Sequence, residues 1–515
     1  MSTKALVLAA ALAAALLPAT ASAQGKYVHA NNSNYDTLDP HAVFDVGRAA
    51  TRINMYDGLY RWVDNPPKQI PWLAESHEIS PDGLTWTFKL RKDVKFHDGT
   101  LMTADDVVYS MERILAVKRG VGGLLGPMVA PGNTKALDAG TVQFKLSEPS
   151  ALFGALVADI AVVNSKLVKR NEKDGDWGQA WLAKNEAGTG SYKLKRYDPA
   201  IGFIAERFKD HFYPWGPKYF DEIEFRTVLE TNTRILGLIK GDYHGLDGYL
   251  TPDAIDRLRA APGVQVIEEE SMRVFQVSFN NQRPPLDDVN LRKALSYAFD
   301  YDAIINDIMK GTVIRNPTII PNNMWGAPKD VKGYTYDLEK AKEYLAKVKQ
   351  PIRPLAMGTL AGFSDTEQVA AILQNGARKI GVEIKLESAP WGVVSSRTQN
   401  DDQMYDIVGY PKSTFYADPN NWLGELFGSR YIPTRNVARY RNPEVDKRIE
   451  KAMLATTPQA ERQRLNEEAA RIVFDDAPGI WVYNTKWFGP YSAKVGGVRF
   501  SPIGNGQEMR WAYFK

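Results

Sequence analysis

Residues 79–107 read ISPDGLTWTFKLRKDVKFHDGTLMTADDV, and this stretch holds a turn, a strand, a second turn and a helix start in direct succession. Pro81 and Gly83 stand at the second and fourth positions of the first turn, where a type I turn favours these residues. Apolar residues then alternate with polar ones, at Trp86, Phe88 and Leu90. The alternation predicts a strand with one buried face.

A helix is predicted directly after the second turn. Thr103 and Asp106 are three residues apart, which is the spacing of a capping box with Asp in place of Glu. Apolar residues then recur along one face of the predicted helix, at Val107, Met111, Ile114 and Leu115. The stretch as a whole therefore predicts mixed α and β structure.

The same two patterns recur along the rest of the chain. Strands are predicted near 192–197, 202–208, 221–228, 272–280, 382–387, 405–409 and 479–484. Helices are predicted near 231–240, 287–299, 337–347, 365–380, 443–454 and 458–475. The glycine-rich segment 120–132 is predicted to be a loop. Alternating helices and strands predict an α/β fold in which helices cover the sheets.

Residues 1–23 have the layout of a secretory signal peptide. Lys4 precedes an apolar run at 5–17, and the small residues 21–23 predict cleavage before Gln24. The apolar run is shorter than the roughly 20 residues that span a bilayer core. No cysteine follows the cleavage site to carry a lipid, so we expect the mature protein to be released into a bacterial periplasm.

Size and composition are those of a globular protein with more than one domain. The chain has 515 residues, of which 44% are hydrophobic and 24% charged, and this length predicts two or three domains. A formal net charge of +3 gives no basic surface for nucleic acid. The absence of cysteine excludes disulfides and thiolate metal sites, and the six histidines lack metal-ligand spacing.

Catalytic signatures are missing from the sequence. It contains no Gly-x-Ser-x-Gly elbow, no Walker A loop and no His-Glu-x-x-His motif. Acidic pairs such as Asp105-Asp106 and Asp287-Asp288 stand at predicted helix starts, where capping explains them. We therefore predict a protein that is not an enzyme. A secreted hydrolase with carboxylates distant in sequence stays open as the alternative.

Three sets of motifs, in order along the chain, carry a resemblance to a known family. The first is the stretch 72–115, which includes the turn and helix start described above. The second is Gly188-Thr189-Gly190-Ser191-Tyr192 with the later Phe220-Asp221-Glu222-Ile223. The third is Phe279-Asn280-Asn281 followed by residues 284–295. Together they resemble the extracellular solute-binding proteins of family 5, the periplasmic receptors of dipeptide and oligopeptide ABC importers.

The resemblance implies an α/β, periplasmic-binding-protein-like type II fold of cluster C, with two lobes, a hinge and an extra subdomain. Lobe I would comprise residues 24–55, 188–275 and 485–515, the extra subdomain residues 56–187, and lobe II residues 276–484. The hinge is expected in two crossover strands near 272–278 and 481–487. Such receptors need no cofactor, close on a solute and deliver it to permease subunits in the inner membrane. The implied protein is a monomer whose partners are the solute and the permease.

The resemblance also implies how a peptide would be anchored, and the sequence departs from it at two places. In peptide receptors of the family, an aspartate upstream of an Asp-Pro pair binds the amino group. Here no acid lies between Gly409 and Ala417, upstream of Asp418-Pro419, and Phe415 or a neighbour takes that place. The arginine for the ligand carboxylate is missing from 355–376.

Both charge anchors of a free dipeptide are therefore absent from their expected positions. Burying an ammonium or carboxylate without a partner costs several kcal/mol, so free dipeptides fit poorly. We expect a peptide or peptide-like solute held by other contacts. An oligosaccharide, an opine-like conjugate or a metal chelate stays open.

Six residues are predicted to contact the ligand: Trp391, Tyr410, Phe415, Tyr416, Tyr35 and Arg119. Trp391 resembles the family's cleft tryptophan at a helix start in lobe II. Residues 410–416 follow a short predicted strand, where loops carry binding residues. Tyr35 lies in the N-terminal loop that faces the cleft in relatives, and Arg119 follows the first capped helix. The alternative is core or loop packing for each aromatic residue and a solvated position for Arg119.

Overall fold

The computed structural model describes residues 25–515 apart from 46, 249, 362 and 505. The predicted signal peptide and its cleavage site lie outside the described residues. In the part of the chain that is described, no helix is both long enough and apolar enough to cross a membrane.

Strands and helices alternate along the chain, as the sequence patterns predict. The strands are β1 (Lys26–Asn31), β2 (Tyr60–Val63), β3 (Lys68–Pro71), β4 (Ala74–Ile79), β5 (Thr85–Leu90), β6 (Val129–Asp138), β7 (Thr141–Leu146), β8 (Tyr192–Asp198), β9 (Gly202–Arg207), β10 (Glu222–Thr227), β11 (Gly245–Leu246), β12 (Val264–Phe279), β13 (Val313–Arg315), β14 (Leu355–Leu360), β15 (Ile384–Ala389), β16 (Ile407–Lys412), β17 (Gly479–Ser492), β18 (Val495–Gly496) and β19 (Tyr513–Phe514).

The α-helices cover the sheets. They are α1 (Ala49–Met55), α2 (Ala104–Val117), α3 (Gly122–Leu125), α4 (Ala151–Leu156), α5 (Ser165–Arg170), α6 (Gln179–Leu182), α7 (Thr231–Lys240), α8 (Pro252–Arg259), α9 (Val289–Ala298), α10 (Leu338–Leu345), α11 (Ser364–Lys379), α12 (Trp391–Thr398), α13 (Leu423–Phe427), α14 (Pro443–Met453) and α15 (Gln459–Asp476). Short 3-10 helices lie at Val157–Asp159, Pro419–Asn421 and Ser429–Tyr431, and a π-helical segment lies at Ala303–Ile308.

The stretch 79–107 adopts the predicted turn, strand, turn and helix. β5 lies inside an antiparallel sheet of order β4-β5-β7-β6, and its three apolar residues are buried. At the start of α2, the Thr103 amide donates a hydrogen bond to the Asp106 carboxylate at 2.9 Å. α2 packs on β6 and β7, so this sheet and helix enclose a hydrophobic core of their own.

The prediction of a loop over 120–132 is wrong. Residues 122–125 form α3, and β6 begins at Val129. Leu125 and Val129 are fully buried in the core beneath α2. Burial of such apolar side chains outweighs the entropic cost of ordering the glycines between them, and glycine content alone does not reveal that burial.

Buried apolar side chains gather in separate clusters along the chain. One, called here core A, contains residues between 59 and 162 together with Tyr416. A second contains residues between 275 and 483, and a third is drawn mainly from the N-terminal segment, residues 161–225 and the C-terminal tail. These clusters give each predicted domain an interior, while the boundaries given above stay predictions.

Two long strands run between the predicted lobes. β12 and β17 pair antiparallel along nearly their whole length, within a sheet of order β15-β14-β16-β12-β17-β11-β1-β10-β9-β8. β12 pairs with β16 at one end, and β17 pairs with β11 at the other. The register between them shifts between Glu270 and Val274, next to the segment predicted for the hinge. The sequence pattern missed the first half of β12 because residues 268–270 are consecutive glutamates.

The Gly188-Thr189-Gly190 part of the second motif lies at a close crossing of two backbone segments. A Cβ at Gly188 would lie 1.9 Å from the Met55 carbonyl oxygen, and one at Gly190 would lie 2.4 Å from the Met55 carbonyl carbon. Between them, the Thr189 hydroxyl donates to the buried Asp57 carboxylate at 2.8 Å. The glycines are therefore needed for close approach, and the crossing fixes α1 against the later chain.

A buried histidine ties the N-terminal segment to core A. His41 Nδ1 accepts a hydrogen bond from Arg113 Nη1 at 2.9 Å, because a guanidinium can only donate. His41 Nε2 must then carry the proton and donates to the Ala161 carbonyl at 2.7 Å. Burial, helped by Arg113, lowers the pKa of His41 from 6.5 to about 4. The ring is therefore neutral in the folded protein.

The folded protein is expected to lose stability in mild acid through His41. As pH falls from 6.5 to about 4, the unfolded chain binds a proton that the folded chain excludes. The free energy of unfolding should fall over that window by on the order of 3 kcal/mol from this group. Urea unfolding at pH 7, 5 and 4 measures it, and His41→Asn should give the shallower profile. Parallel profiles for the two proteins would contradict the assignment.

Candidate functional site

Two phenylalanines from distant parts of the chain stack at the junction between the predicted lobes. Phe44 belongs to the N-terminal segment and Phe415 follows β16; their ring centroids are 5.3 Å apart and their planes differ by 27°. Both rings also pack on core A. The contact therefore joins the segments predicted as lobe I and lobe II, between which the family resemblance places the solute.

Trp391 and Tyr410 form a second aromatic pair on the lobe II side. Trp391 begins α12, remains 52% exposed, and meets the Tyr410 ring edge-on at 5.6 Å. Tyr410 is held on β16 opposite Gln276 of β12. Burial raises the pKa of Tyr410 to about 12, although Arg435 and Arg439 act against that shift. An exposed indole on a fixed phenol offers a surface for a flat or apolar group.

A buried carboxylate organises the wall behind Phe415. Glu425 is 1% exposed and accepts hydrogen bonds from Lys412 Nζ and from the Tyr416 hydroxyl, both at 2.7 Å. Arg435 Nε lies 3.9 Å from the same Glu425 oxygen that accepts the hydrogen bond from Lys412. Burial lowers the pKa of the Lys412 ammonium, and the Glu425 carboxylate opposes that shift. These contacts fix the segment after β16 to α13.

Cations flank both rings of the stacked pair. On the lobe II side, Lys412 Nζ is 5.1 Å and Arg435 Cζ 5.9 Å from the centre of the Phe415 ring. On the other side, Arg52 Cζ is 5.8 Å from the centre of Phe44. These distances are within reach of a cation–π attraction, so the rings and the positive charges form one surface.

A cavity of about 60 Å³ adjoins the stacked pair through Arg52. Its charged and aromatic lining includes Arg52, Tyr56, Arg61, Trp62, Asp159 and Glu508. The Asp159 carboxylate accepts a hydrogen bond from Arg52 at 2.5 Å, yet burial raises its pKa to about 6. Its second oxygen is buried without a hydrogen-bond partner among the described residues. That oxygen is available to a water molecule or a ligand donor.

The structure brings three of the predicted ligand contacts together and separates the other three from them. Trp391 contacts Tyr410, and Arg435 lies near the Phe415 ring and acts electrostatically on Tyr410; the three aromatic residues are called here the aromatic wall. Tyr416, from the same loop, turns into core A instead, where its hydroxyl donates to Glu425.

Tyr35 and Arg119 lie apart from that wall. Tyr35 is fully buried, with its ring edge-on to Phe203 at 5.1 Å and its hydroxyl bonded to Asn31. Arg119 is exposed between α2 and α3. Among the described residues, no ring or ion contact joins either of them to Phe415 or Trp391. Ligand contact by any of the six residues stays a prediction.

Sequence reasoning missed Phe44, Arg435, Lys412 and Glu425. Lys412 lies inside the segment where the family pattern expects an acid, so a charge of the opposite sign was the available signal. Phe44 gives no local signal, because its position depends on Phe415, which is far away in sequence. Arg435 gives none because its contacts with Glu425 and Phe415 depend on how the chain after β16 folds back.

The Asp418 carboxylate, of the Asp-Pro pair named above, is already bonded within the protein. The Asp418 carboxylate accepts a hydrogen bond from the Asn420 amide at 2.9 Å and pairs with Arg462, so it caps its own turn. Within the described residues, no group of three or more His, Asp or Glu side chains could hold a metal ion. The wall offers aromatic faces and basic groups instead.

Comparison with known proteins identifies the family. The model for bacterial extracellular solute-binding proteins, family 5 Middle, matches residues 68–433, more than half of the chain. This protein belongs to family 5. The family consists of non-catalytic substrate-binding proteins of ABC transporters, so membership confirms the prediction of a binding protein rather than an enzyme.

Relatives of this family 5 protein match over nearly its whole length. The probable D,D-dipeptide-binding periplasmic protein DdpA of Escherichia coli is 31% identical over 479 residues, covering 91% of this chain and 90% of its own. Heme-binding protein A of Haemophilus influenzae is 31% identical over 488 residues, covering 88% and 86%.

A solved structure confirms the fold of the family 5 chain. The periplasmic binding protein DppA of Helicobacter pylori, in complex with the peptide STSA, matches with a TM-score of 0.82 at 26% identity, covering 95% of this chain and 98% of its own. The α/β type II fold of cluster C, predicted from the motif resemblance, is therefore confirmed.

Proposed function

We propose that this protein is a periplasmic receptor that captures a peptide or peptide-like solute between its lobes and delivers it to the permease of an ABC importer. The observation that carries the proposal is the stack of Phe44 on Phe415. The two rings come from the segments predicted as lobes I and II and are flanked by cations, one of which, Arg52, also lines a cavity. Separation of the lobes would expose these groups to a solute.

The ligand class rests on the relatives. The Escherichia coli protein is named for D,D-dipeptides, and the Helicobacter pylori protein was solved with a four-residue peptide. The aromatic wall of Trp391, Tyr410 and Phe415 suits a side chain or a modified terminus of a peptide. Export to the periplasm follows from the predicted signal peptide and from the periplasmic relatives.

Closure supplies the mechanism of capture. A solute shifts the lobes toward the closed state only if it binds that state more tightly than the open one. Contacts that exist only when Phe44 and Phe415 approach each other provide that difference in affinity. The paired strands β12 and β17 join the lobes and are the elements in which bending would occur. Opening at the permease then releases the solute unchanged.

Native mass spectrometry of protein purified from its own periplasm tests the proposal directly. We expect one peptide-like molecule per monomer. Adding that molecule to stripped protein at 100 times its Kd should raise the free energy of unfolding by about 2.7 kcal/mol. Small-angle scattering should also record a smaller radius of gyration with the ligand. A rigid shape with and without it, or a chemically altered ligand, would contradict the proposal.

A second ligand class is favoured by one observation. Heme-binding protein A of Haemophilus influenzae is as similar as the dipeptide-binding relative, at 31% identity. A flat anionic porphyrin would also suit aromatic rings flanked by cations. Titration with hemin, followed by its absorbance spectrum, separates this candidate from peptides, oligosaccharides and opine-like conjugates in the same screen.

A further inference from the structure

We propose that Lys412 and Arg435 form a subsite for one carboxylate of the solute, beside the Phe415 ring. This inference rests on the proposed function and specifies the charge of the ligand. Three observations carry it: the balance of charge behind the ring, the position of the two cations, and the exposure of Arg435.

The positive and negative charges next to the Phe415 ring do not balance. Lys412 and Arg435 share one carboxylate, Glu425, at 2.7 and 3.9 Å from the same oxygen. The second oxygen of Glu425 accepts the Tyr416 hydroxyl at 2.7 Å, and a hydroxyl brings no charge. Two positive charges therefore face one negative charge, which leaves one positive charge in excess.

Other arginines from the same part of the chain are paired with other carboxylates. Arg439 binds Asp401 at 2.8 Å, and Arg462 binds Asp418. Arg430 binds Glu148 at 3.0 Å. None of these carboxylates is directed to Lys412 or Arg435 in the ion pairs of the described residues. A single carboxylate on the ligand matches the excess charge, whereas an ammonium would be repelled by it.

The excess charge lies at the junction of the lobes. Lys412 Nζ and Arg435 Cζ are 5.1 and 5.9 Å from the centre of the Phe415 ring, and that ring is the one that stacks on Phe44. Any solute that enters between the two phenylalanines therefore comes within reach of both cations.

Arg435 is the cation that can exchange partners. Its side chain is 41% exposed and reaches Glu425 only at 3.9 Å, whereas the Lys412 side chain is 6% exposed and donates a hydrogen bond to Glu425 at 2.7 Å. A guanidinium binds a carboxylate through two parallel hydrogen bonds, which a distant contact with Glu425 does not use. We assign the direct contact to Arg435 and electrostatic support to Lys412.

A library of tetrapeptides in two forms, free acid and C-terminal amide, tests the inference on the full mature protein. Thermal shift identifies binding sequences, and calorimetry gives Kd for each matched pair. We expect the free acid to bind about tenfold more tightly than the amide, because a hydrogen bond to a charged group is lost in the amide. Arg435→Gln should abolish that difference.

Arg430→Gln is the matched control, since Arg430 lies in the same segment, is 53% exposed against 41% for Arg435, and pairs with Glu148 instead. It should keep the preference for the acid. Equal affinity for acid and amide, or a preference that survives Arg435→Gln, would overturn the carboxylate subsite and leave the receptor function standing. If neither library stabilises the protein, the peptide function is overturned and the subsite with it.

Discussion

Replacing Arg113 by Met is expected to lower the free energy of unfolding by about 3–5 kcal/mol, because it leaves a buried carboxylate without its partner. Arg113 lies in α2 and is fully buried. It donates to both oxygens of Asp39, at 2.8 and 2.6 Å, and to the Trp177 carbonyl at 2.7 Å. The same guanidinium holds His41. One side chain therefore attaches the N-terminal segment, which carries Phe44, to the core A helix.

Urea unfolding followed by far-ultraviolet circular dichroism measures this effect. The double variant Arg113→Met with Asp39→Asn should lose less free energy of unfolding than the sum of the losses in the two single variants. The reason is that no unpaired charge remains when both partners are replaced. Arg430→Met removes an exposed ion pair with Glu148 and should change stability by no more than about 1 kcal/mol. A loss below about 1 kcal/mol for Arg113→Met would show that the pair is not needed.

Replacing Glu425 by Gln is expected to have a comparable effect in lobe II, a loss of about 3–5 kcal/mol. The amide cannot neutralise Lys412, whose ammonium is buried, and Arg435 adds a second positive charge at the same place. Tyr416 would also lose a charged acceptor for its hydroxyl. The loss should come from uncompensated positive charge rather than from a change in shape, since Gln and Glu have nearly the same volume.

The double variant Lys412→Met with Glu425→Gln provides the control for this interpretation. Removing both charges should recover most of the stability that Glu425→Gln loses, because replacing a whole buried pair by neutral groups is often nearly neutral. Raising the pH should also stabilise Glu425→Gln relative to the natural protein, as the buried lysine then loses its proton. If the double variant is as unstable as the single one, the charge of Lys412 is not the cause.

The predictable part of this structure was local. Thr103 and Asp106 predicted where α2 begins, and the helix 231–240 ends at Gly241 in the left-handed conformation that glycine favours. The prediction of a loop over 120–132 was wrong because the burial of Leu125 and Val129 depends on tertiary packing. Gly188 and Gly190 could be recognised as part of a family motif, but the reason for them, the backbone of Met55, is far away in sequence.

The candidate site was also predictable from sequence only in part. Aromatic residues that follow a strand could be nominated from sequence, and Trp391, Tyr410 and Phe415 do lie on one wall. Tyr416, their neighbour, points into a core, because a loop directs successive side chains in ways that residue type does not encode. The excess positive charge could not be predicted at all, since it depends on which cations share Glu425.

The sequence by itself therefore determined the family, the α/β fold, the order of helices and strands, and the absence of cysteine chemistry. These depend on periodicity, turn residues and motifs that act over a few positions. Only the tertiary structure decided which rings meet across the lobes, which acids are already paired and where one positive charge is left over. The contact of Phe44 with Phe415 joins residues hundreds of positions apart, whereas Lys412, Glu425 and Arg435 are brought together by the folding of one segment. Neither arrangement is visible in the local pattern of residue types.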